Sequence, residues 1–131
     1  GQGAPDIVGE SPRGDRLRLG VGEAPRVVLV FLTSSCRSCE ALWDALGGGR
    51  GRELPDRPVV AVVTPSPSTE NRQRVTELAR KGAAVIMSSD GWQDYGVRGS
   101  SFVVVVDHGR ISGEGPVESW DELVGLAAGR A

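Results

Sequence analysis

The chain has 131 residues, of which 39% are apolar and 24% charged, and its net charge is −2. That length suits one domain, residues 1–131, with a core of its own. No excess of Lys and Arg is present to neutralise phosphates, which argues against a nucleic-acid partner, and no stretch nears the roughly 20 apolar residues of a membrane span.

In chain order, residues 1–10 contain Gly and Pro with little periodicity and are expected to lie on the surface as an irregular segment. Leu17, Leu19 and Val21 alternate with Arg16, Arg18 and Gly20, the pattern of a half-buried strand. Gly22-Glu23-Ala24-Pro25 then turns the chain into Val27-Val28-Leu29-Val30-Phe31-Leu32, a continuous run expected of a strand buried on both faces. After Thr33-Ser34-Ser35 comes Cys36-Arg37-Ser38-Cys39. Cys39, Leu42, Trp43 and Leu46 fall at i, i+3, i+4 and i+7, so they share one apolar helical face. Gly47-Gly48-Gly49 stops that helix and leads into an Arg-rich loop.

Residues 59–63 read as a second buried strand, closed by Thr64-Pro65-Ser66-Pro67 because proline cannot continue a ladder. A helix is predicted from Thr69 to Arg80, with Val75, Leu78 and Ala79 inward and Gly82 as its stop. Ala84-Val85-Ile86-Met87 is a short third strand, and residues 92–97 form one helical turn whose Trp92 and Tyr95 pack inward. Residues 102–106 form another apolar strand. Asp107-His108-Gly109-Arg110 is a hairpin turn into a weaker strand at residues 111–115, which leaves His108 exposed. Ser119 and Glu122 form a capping box before Leu123, Val124 and Leu126. Strands alternating with helices and then a hairpin imply an α/β class: a mixed sheet with helices on both faces.

The chemistry-bearing residues are Cys36 and Cys39. Near the first turn of its helix, Cys36 faces unpaired N–H groups and the positive end of the dipole, which favour thiolate over thiol, and Arg37 adds a fixed positive charge beside it. Cys39 lies one turn further in, shielded against the sheet. Thiol–disulfide exchange needs this division: one exposed thiolate attacks and a nearby thiol resolves the mixed disulfide. A structural zinc site needs four ligands, and beyond these two cysteines there is one histidine, His108, so no metal is expected. A passive staple is the other reading, although a disulfide closing so short a loop adds little stability.

Ala4-Pro5-Asp6, the strand and Cys-x-x-Cys of residues 27–39, Tyr95-Gly96-Val97-Arg98-Gly99, the apolar strand ending in Asp107, and Gly109-Arg110-Ile111 carry a resemblance. Over almost its whole length the chain resembles the thioredoxin superfamily, in particular the bacterial extracytoplasmic branch called TlpA-like. The resemblance implies a thioredoxin-like three-layer α/β fold, a central mixed β-sheet flanked by helices, with an N-terminal strand extension. It implies Cys36 as nucleophile and Cys39 as resolver, with no cofactor. It also implies protein disulfide or dithiol substrates, a redox partner protein, a monomer, and a location outside the cytoplasm. Members of this branch are commonly membrane-anchored, which leaves room for an anchor upstream of Gly1, while this segment makes no membrane contact itself.

The chain departs from that family at four places. Ser35 stands where Trp is usual before the first cysteine, and Ser38 where Pro is frequent before the second. Ser101 occupies the place of the family's cis-proline. A non-proline cis bond costs about 2.5–4 kcal/mol, so Ser100–Ser101 is expected to be trans. Val30 replaces a buried acid beneath the second cysteine. Ser35, Ser100 and Ser101 are expected to line the substrate edge, with the Ser101 hydroxyl donating to a Cys36 thiolate and Arg37 tuning its pKa. Two functions follow: a thiol–disulfide oxidoreductase, or a non-catalytic protein-binding module on the same scaffold with a structural or vestigial cysteine pair.

Overall fold

The computed structural model describes residues 3–129. Its strands are β1 (Ile7–Glu10), β2 (Arg16–Leu19), β3 (Arg26–Phe31), β4 (Val59–Thr64), β5 (Val85–Met87), β6 (Phe102–Asp107) and β7 (Arg110–Pro116). Its α-helices are α1 (Glu40–Gly47), α2 (Arg72–Ala79), α3 (Ser89–Asp94) and α4 (Trp120–Ala127). Among the described residues the strands form a seven-stranded sheet in the order β2-β1-β5-β4-β3-β6-β7. β3 is parallel to β4 and antiparallel to β6, so the sheet is mixed.

The apolar runs are buried on both faces because each face meets a separate core. Val28, Val30 and Leu32 point to the side covered by α1, α2 and α4, where they join Leu42, Trp43, Leu46, Val75 and Leu123. Val27, Leu29 and Phe31 point to the opposite side, against Ile7, Ile86, Tyr95 and Val97. There Trp92 of α3 meets Phe31 edge-on, with ring centroids 5.6 Å apart, and Tyr95 tilts against the same ring at 5.8 Å. Two core layers sandwiching one sheet give the three-layer α/β arrangement expected.

The largest difference from the sequence reading lies at the N-terminus. Residues 1 and 2 fall outside the described residues, but Ile7–Glu10 is a strand, β1, inserted between β2 and β5. Its apolar alternation was concealed because Gly9 occupies an inward position with no side chain. A Cβ there would collide with the Met87 carbonyl oxygen, so glycine permits the close approach to β5. α2 begins at Arg72 rather than Thr69, because Asn71 has extended backbone and its side chain caps the helix, accepting from the Arg74 N–H at 2.9 Å. Gly82 is not the cap of α2. Its Cβ would strike the Gly47 carbonyl oxygen, so its role is the approach of this turn to α1. The Arg-rich loop holds a short 3-10 turn, Arg50–Glu53.

Other local signals have the expected outcome. His108 and Gly109 have φ of 49° and 79° and join β6 to β7 as a tight two-residue turn. Ser119 accepts from the Glu122 N–H at 3.1 Å, while the Glu122 carboxylate reaches one residue beyond the usual box to the Glu118 N–H at 2.7 Å.

Tyr95 ties α3 to the N-terminal segment, its hydroxyl donating to the Pro5 carbonyl at 2.5 Å. Burial, with the charges of Asp6 and Asp94 nearby, pushes this phenol well above the usual tyrosine range. Above about pH 10 the unfolded phenol ionises while the folded one stays neutral, so this contribution to stability is present below that pH and lost as pH rises. Tyr95→Phe is expected to cost about 1 kcal/mol at neutral pH and to flatten the alkaline fall. Urea unfolding of both proteins from neutral to strongly alkaline pH checks it, and an equally steep fall in the variant would contradict it.

Candidate redox site

β3 ends at Phe31, and the loop that follows delivers Cys36 to the start of a 3-10 turn, Arg37–Cys39, which runs directly into α1. Cys36 has extended backbone and precedes the turn rather than lying inside the helix, its carbonyl accepting from the Cys39 N–H at 3.2 Å. The helical phase then separates the two sulfurs. Cys39 is wholly buried with Leu42 and Trp43, and Cys36 remains part-exposed. The two form a disulfide with Cα atoms 5.2 Å apart. Val30, also fully buried, shares the cluster that encloses Cys39, so the central strand offers it an apolar wall rather than an acid.

The loop before Cys36 is fixed from two sides. Trp43 of α1 donates its indole N–H to the Thr33 carbonyl at 3.0 Å. From the β4–α2 connection, Glu70 accepts from the Ser34 N–H at 2.8 Å and from the Ser34 hydroxyl at 2.5 Å. Glu70 belongs to no motif, and its part was not legible in the sequence. Beside the loop, Ser34, Ser35, Cys36, Arg37, Glu40, Trp43, Asp44, Arg74 and Leu78 line a surface recess of about 430 Å³.

Antiparallel register brings further segments to the end of β3 from which this loop departs. Phe31 pairs with Phe102 and Phe102 with Pro116, so Ser100, Ser101 and Val117 lie at the end of the sheet from which the cysteine loop departs. The Ser100–Ser101 peptide is cis, where a trans bond was expected. The expectation weighed only the cost of an isolated cis bond, whereas Ser101 here is buried and held by tertiary contacts: it accepts from the Val117 N–H at 3.3 Å and donates its hydroxyl back to the Val117 carbonyl. That second bond also corrects the expected donation from Ser101 to Cys36. A buried hydroxyl needs a partner, and here the partner is backbone.

The hydroxyl beside Cys36 Sγ belongs to Ser38. Its Oγ is 3.1 Å from Cys36 Sγ, and because a disulfide sulfur carries no proton, the hydroxyl is the donor. Arg37, the expected tuner, is exposed and makes no ion pair among the described residues. Its effect on Cys36 is therefore the screened field of a solvated charge. Ser35 is exposed on the rim and Ser100 half-buried. No group of three or more His, Cys, Asp or Glu among the described residues could hold a metal ion.

This geometry gives Ser38 a measurable effect. A hydroxyl donating to Cys36 stabilises thiolate over thiol, so Ser38→Ala is expected to raise the alkylation midpoint of reduced Cys36 by about half a pH unit to one unit. Iodoacetamide labelling across pH, read by mass spectrometry, checks it. An unmoved midpoint would mean that the contact does not persist in the reduced protein.

No family model and no curated protein matches this chain. Solved structures do match. A thiol:disulfide interchange protein from Bacteroides sp. superimposes with a TM-score of 0.70 at 20% identity, covering 95% of this chain and 84% of the other. The thioredoxin domain of a thiol-disulfide oxidoreductase from Bacteroides vulgatus gives 0.73 at 18% identity, covering 98% and 94%. An exposed lipoprotein thioredoxin from Streptococcus pneumoniae gives 0.71 at 22%, covering 92% and 95%. The chain therefore has the thioredoxin fold of these interchange proteins, with a Cys-x-x-Cys disulfide at the start of α1.

Proposed function

We propose that this protein is a thiol–disulfide oxidoreductase in which Cys36 and Cys39 cycle between dithiol and disulfide. One observation carries the reading: the two sulfurs are joined in one short ring, yet Cys36 is open to a recess while Cys39 is wholly buried. A nucleophile must meet a substrate, and a resolver need only meet the nucleophile. The likeness to interchange proteins supports the same reading.

In the reducing direction, the Cys36 thiolate attacks one sulfur of a substrate disulfide. A Cys36–substrate disulfide forms, and the second substrate sulfur leaves with the electron pair and takes up a proton. Cys39, deprotonated, then attacks Cys36 Sγ. The intramolecular disulfide forms, and the first substrate sulfur leaves as a thiolate. The substrate has gained two electrons and the protein has lost two. The reverse sequence oxidises a dithiol, and relative potentials set the direction.

Helix-turn N–H groups and Ser38 favour the attacking thiolate, with Arg37 adding a weaker, salt-screened field. Ser35, Ser100 and Ser101 form the rim on which an extended substrate segment lies, Ser101 by its backbone because its hydroxyl is committed to Val117. Protein substrates and a redox partner protein acting outside the cytoplasm fit this architecture, and one of the matching structures is itself an exposed lipoprotein. No described helix is long and apolar enough to cross a membrane.

Cys39→Ser provides the direct test. Reduced and offered a disulfide-containing peptide, this variant is expected to accumulate a Cys36–peptide mixed disulfide visible by mass, whereas Cys36→Ser forms none and wild type releases reduced peptide. A mixed disulfide at Cys39 in the Cys36→Ser protein, with none at Cys36, would reverse the assignment.

A further inference from the structure

We infer that Glu70 is a positioning residue for Cys36, acting through the loop at residues 33–35; the inference rests on the redox reading above. Three donors converge on its carboxylate. Ser34 contributes its N–H at 2.8 Å and its hydroxyl at 2.5 Å, and the Asn71 N–H lies at 2.8 Å. Ser34 and Glu70 are 36 residues apart and both part-buried, so this is a tertiary clamp rather than a local turn.

The clamp acts where the chain has few other constraints. Between Leu32 and the 3-10 turn, residues 33–35 make no strand pairing, and Cys36 has no side-chain cap. On the far side of Ser34, the Trp43 indole holds Thr33. With both contacts made, the backbone approaching Cys36 has one course, and Cys36 Sγ is held beside Ser38 Oγ. Charge-assisted hydrogen bonds of this kind are stronger than neutral ones. An amide at the same place would turn its NH₂ group toward one of the Ser34 donors.

Glu70 also carries charge, and a carboxylate acting only through its field would disfavour the thiolate. Arg37, Glu40, Asp44 and Arg74 face the same recess as Cys36, so the field there is already mixed. Position and field predict opposite signs for Glu70→Ala. Loss of the clamp releases Cys36 from its donors and raises the midpoint, whereas loss of a negative charge lowers it.

The experiment is the pH profile of iodoacetamide alkylation of reduced Cys36 in wild type, Ser34→Ala, Glu70→Ala and the double variant, each checked for cooperative unfolding. The midpoint is expected to rise by about half a pH unit in Glu70→Ala and by less in Ser34→Ala, whose backbone N–H still reaches the carboxylate, with no rise in the double variant beyond that of Glu70→Ala, as for partners in one contact. Glu70→Gln, which keeps one acceptor, falls between wild type and Glu70→Ala and replaces it in the comparison if Glu70→Ala does not fold. A lowered midpoint in the Glu70 variants with Ser34→Ala unmoved would overturn the inference in favour of a field effect, and unmoved midpoints throughout would leave Glu70 a structural tie only. Alkylation needs no turnover. A wild type that is alkylated normally but never forms a mixed disulfide with peptide would count against the redox reading and not against the clamp.

Discussion

The helical phase of α1 and its leading turn governs the site. Cys39, Leu42, Trp43 and Leu46 must all face the sheet, and burying each of the two leucines contributes about 1.5–3 kcal/mol. Once that stripe is buried, Cys39 is buried with it. Cys36, three residues earlier and before the turn, is carried outward to the surface. The same core packing that stabilises the helix thus assigns unequal exposure to the two sulfurs. Rotating the stripe to exchange them would expose Trp43 and Leu46, which makes the asymmetry a consequence of folding rather than an independent feature.

Around this constraint the sheet gathers other segments at the same end of its strands. Register between β3, β6 and β7 brings three segments distant in sequence to one end of the sheet: the cysteine loop, Ser100–Ser101, and Val117. The serine-rich character of that end has a distribution of tasks. Ser34 binds Glu70, Ser38 faces Cys36, and Ser101 closes on Val117. Of these hydroxyls, that of Ser38 is the one that meets a cysteine sulfur, Cys36 Sγ.

Much of this was legible in the sequence, and the reasons are local. Residues 27–32 announced a strand buried on both faces, the i, i+3, i+4, i+7 spacing announced the buried side of α1, and His108-Gly109 announced its turn. β1 was missed because Gly9 erases the alternation that marks a strand, and its place is set by Met87, which lies far along the chain. Ser100–Ser101 was misread because a local preference for trans cannot register the pairing with Val117. Ser38 could have been found: its spacing from Cys36 within one turn puts a hydroxyl within reach of the sulfur. Glu70 could not, since nothing before folding links it to Ser34.

The central claim is that the Cys36–Cys39 disulfide is a working redox couple and not a staple. Its reduction potential tests this most directly, measured by equilibrating the purified protein with glutathione and dithiothreitol buffers and counting thiols. A couple that exchanges with substrates is expected to lie above about −300 mV, whereas reduction only far below that value would mark a structural disulfide and contradict the account.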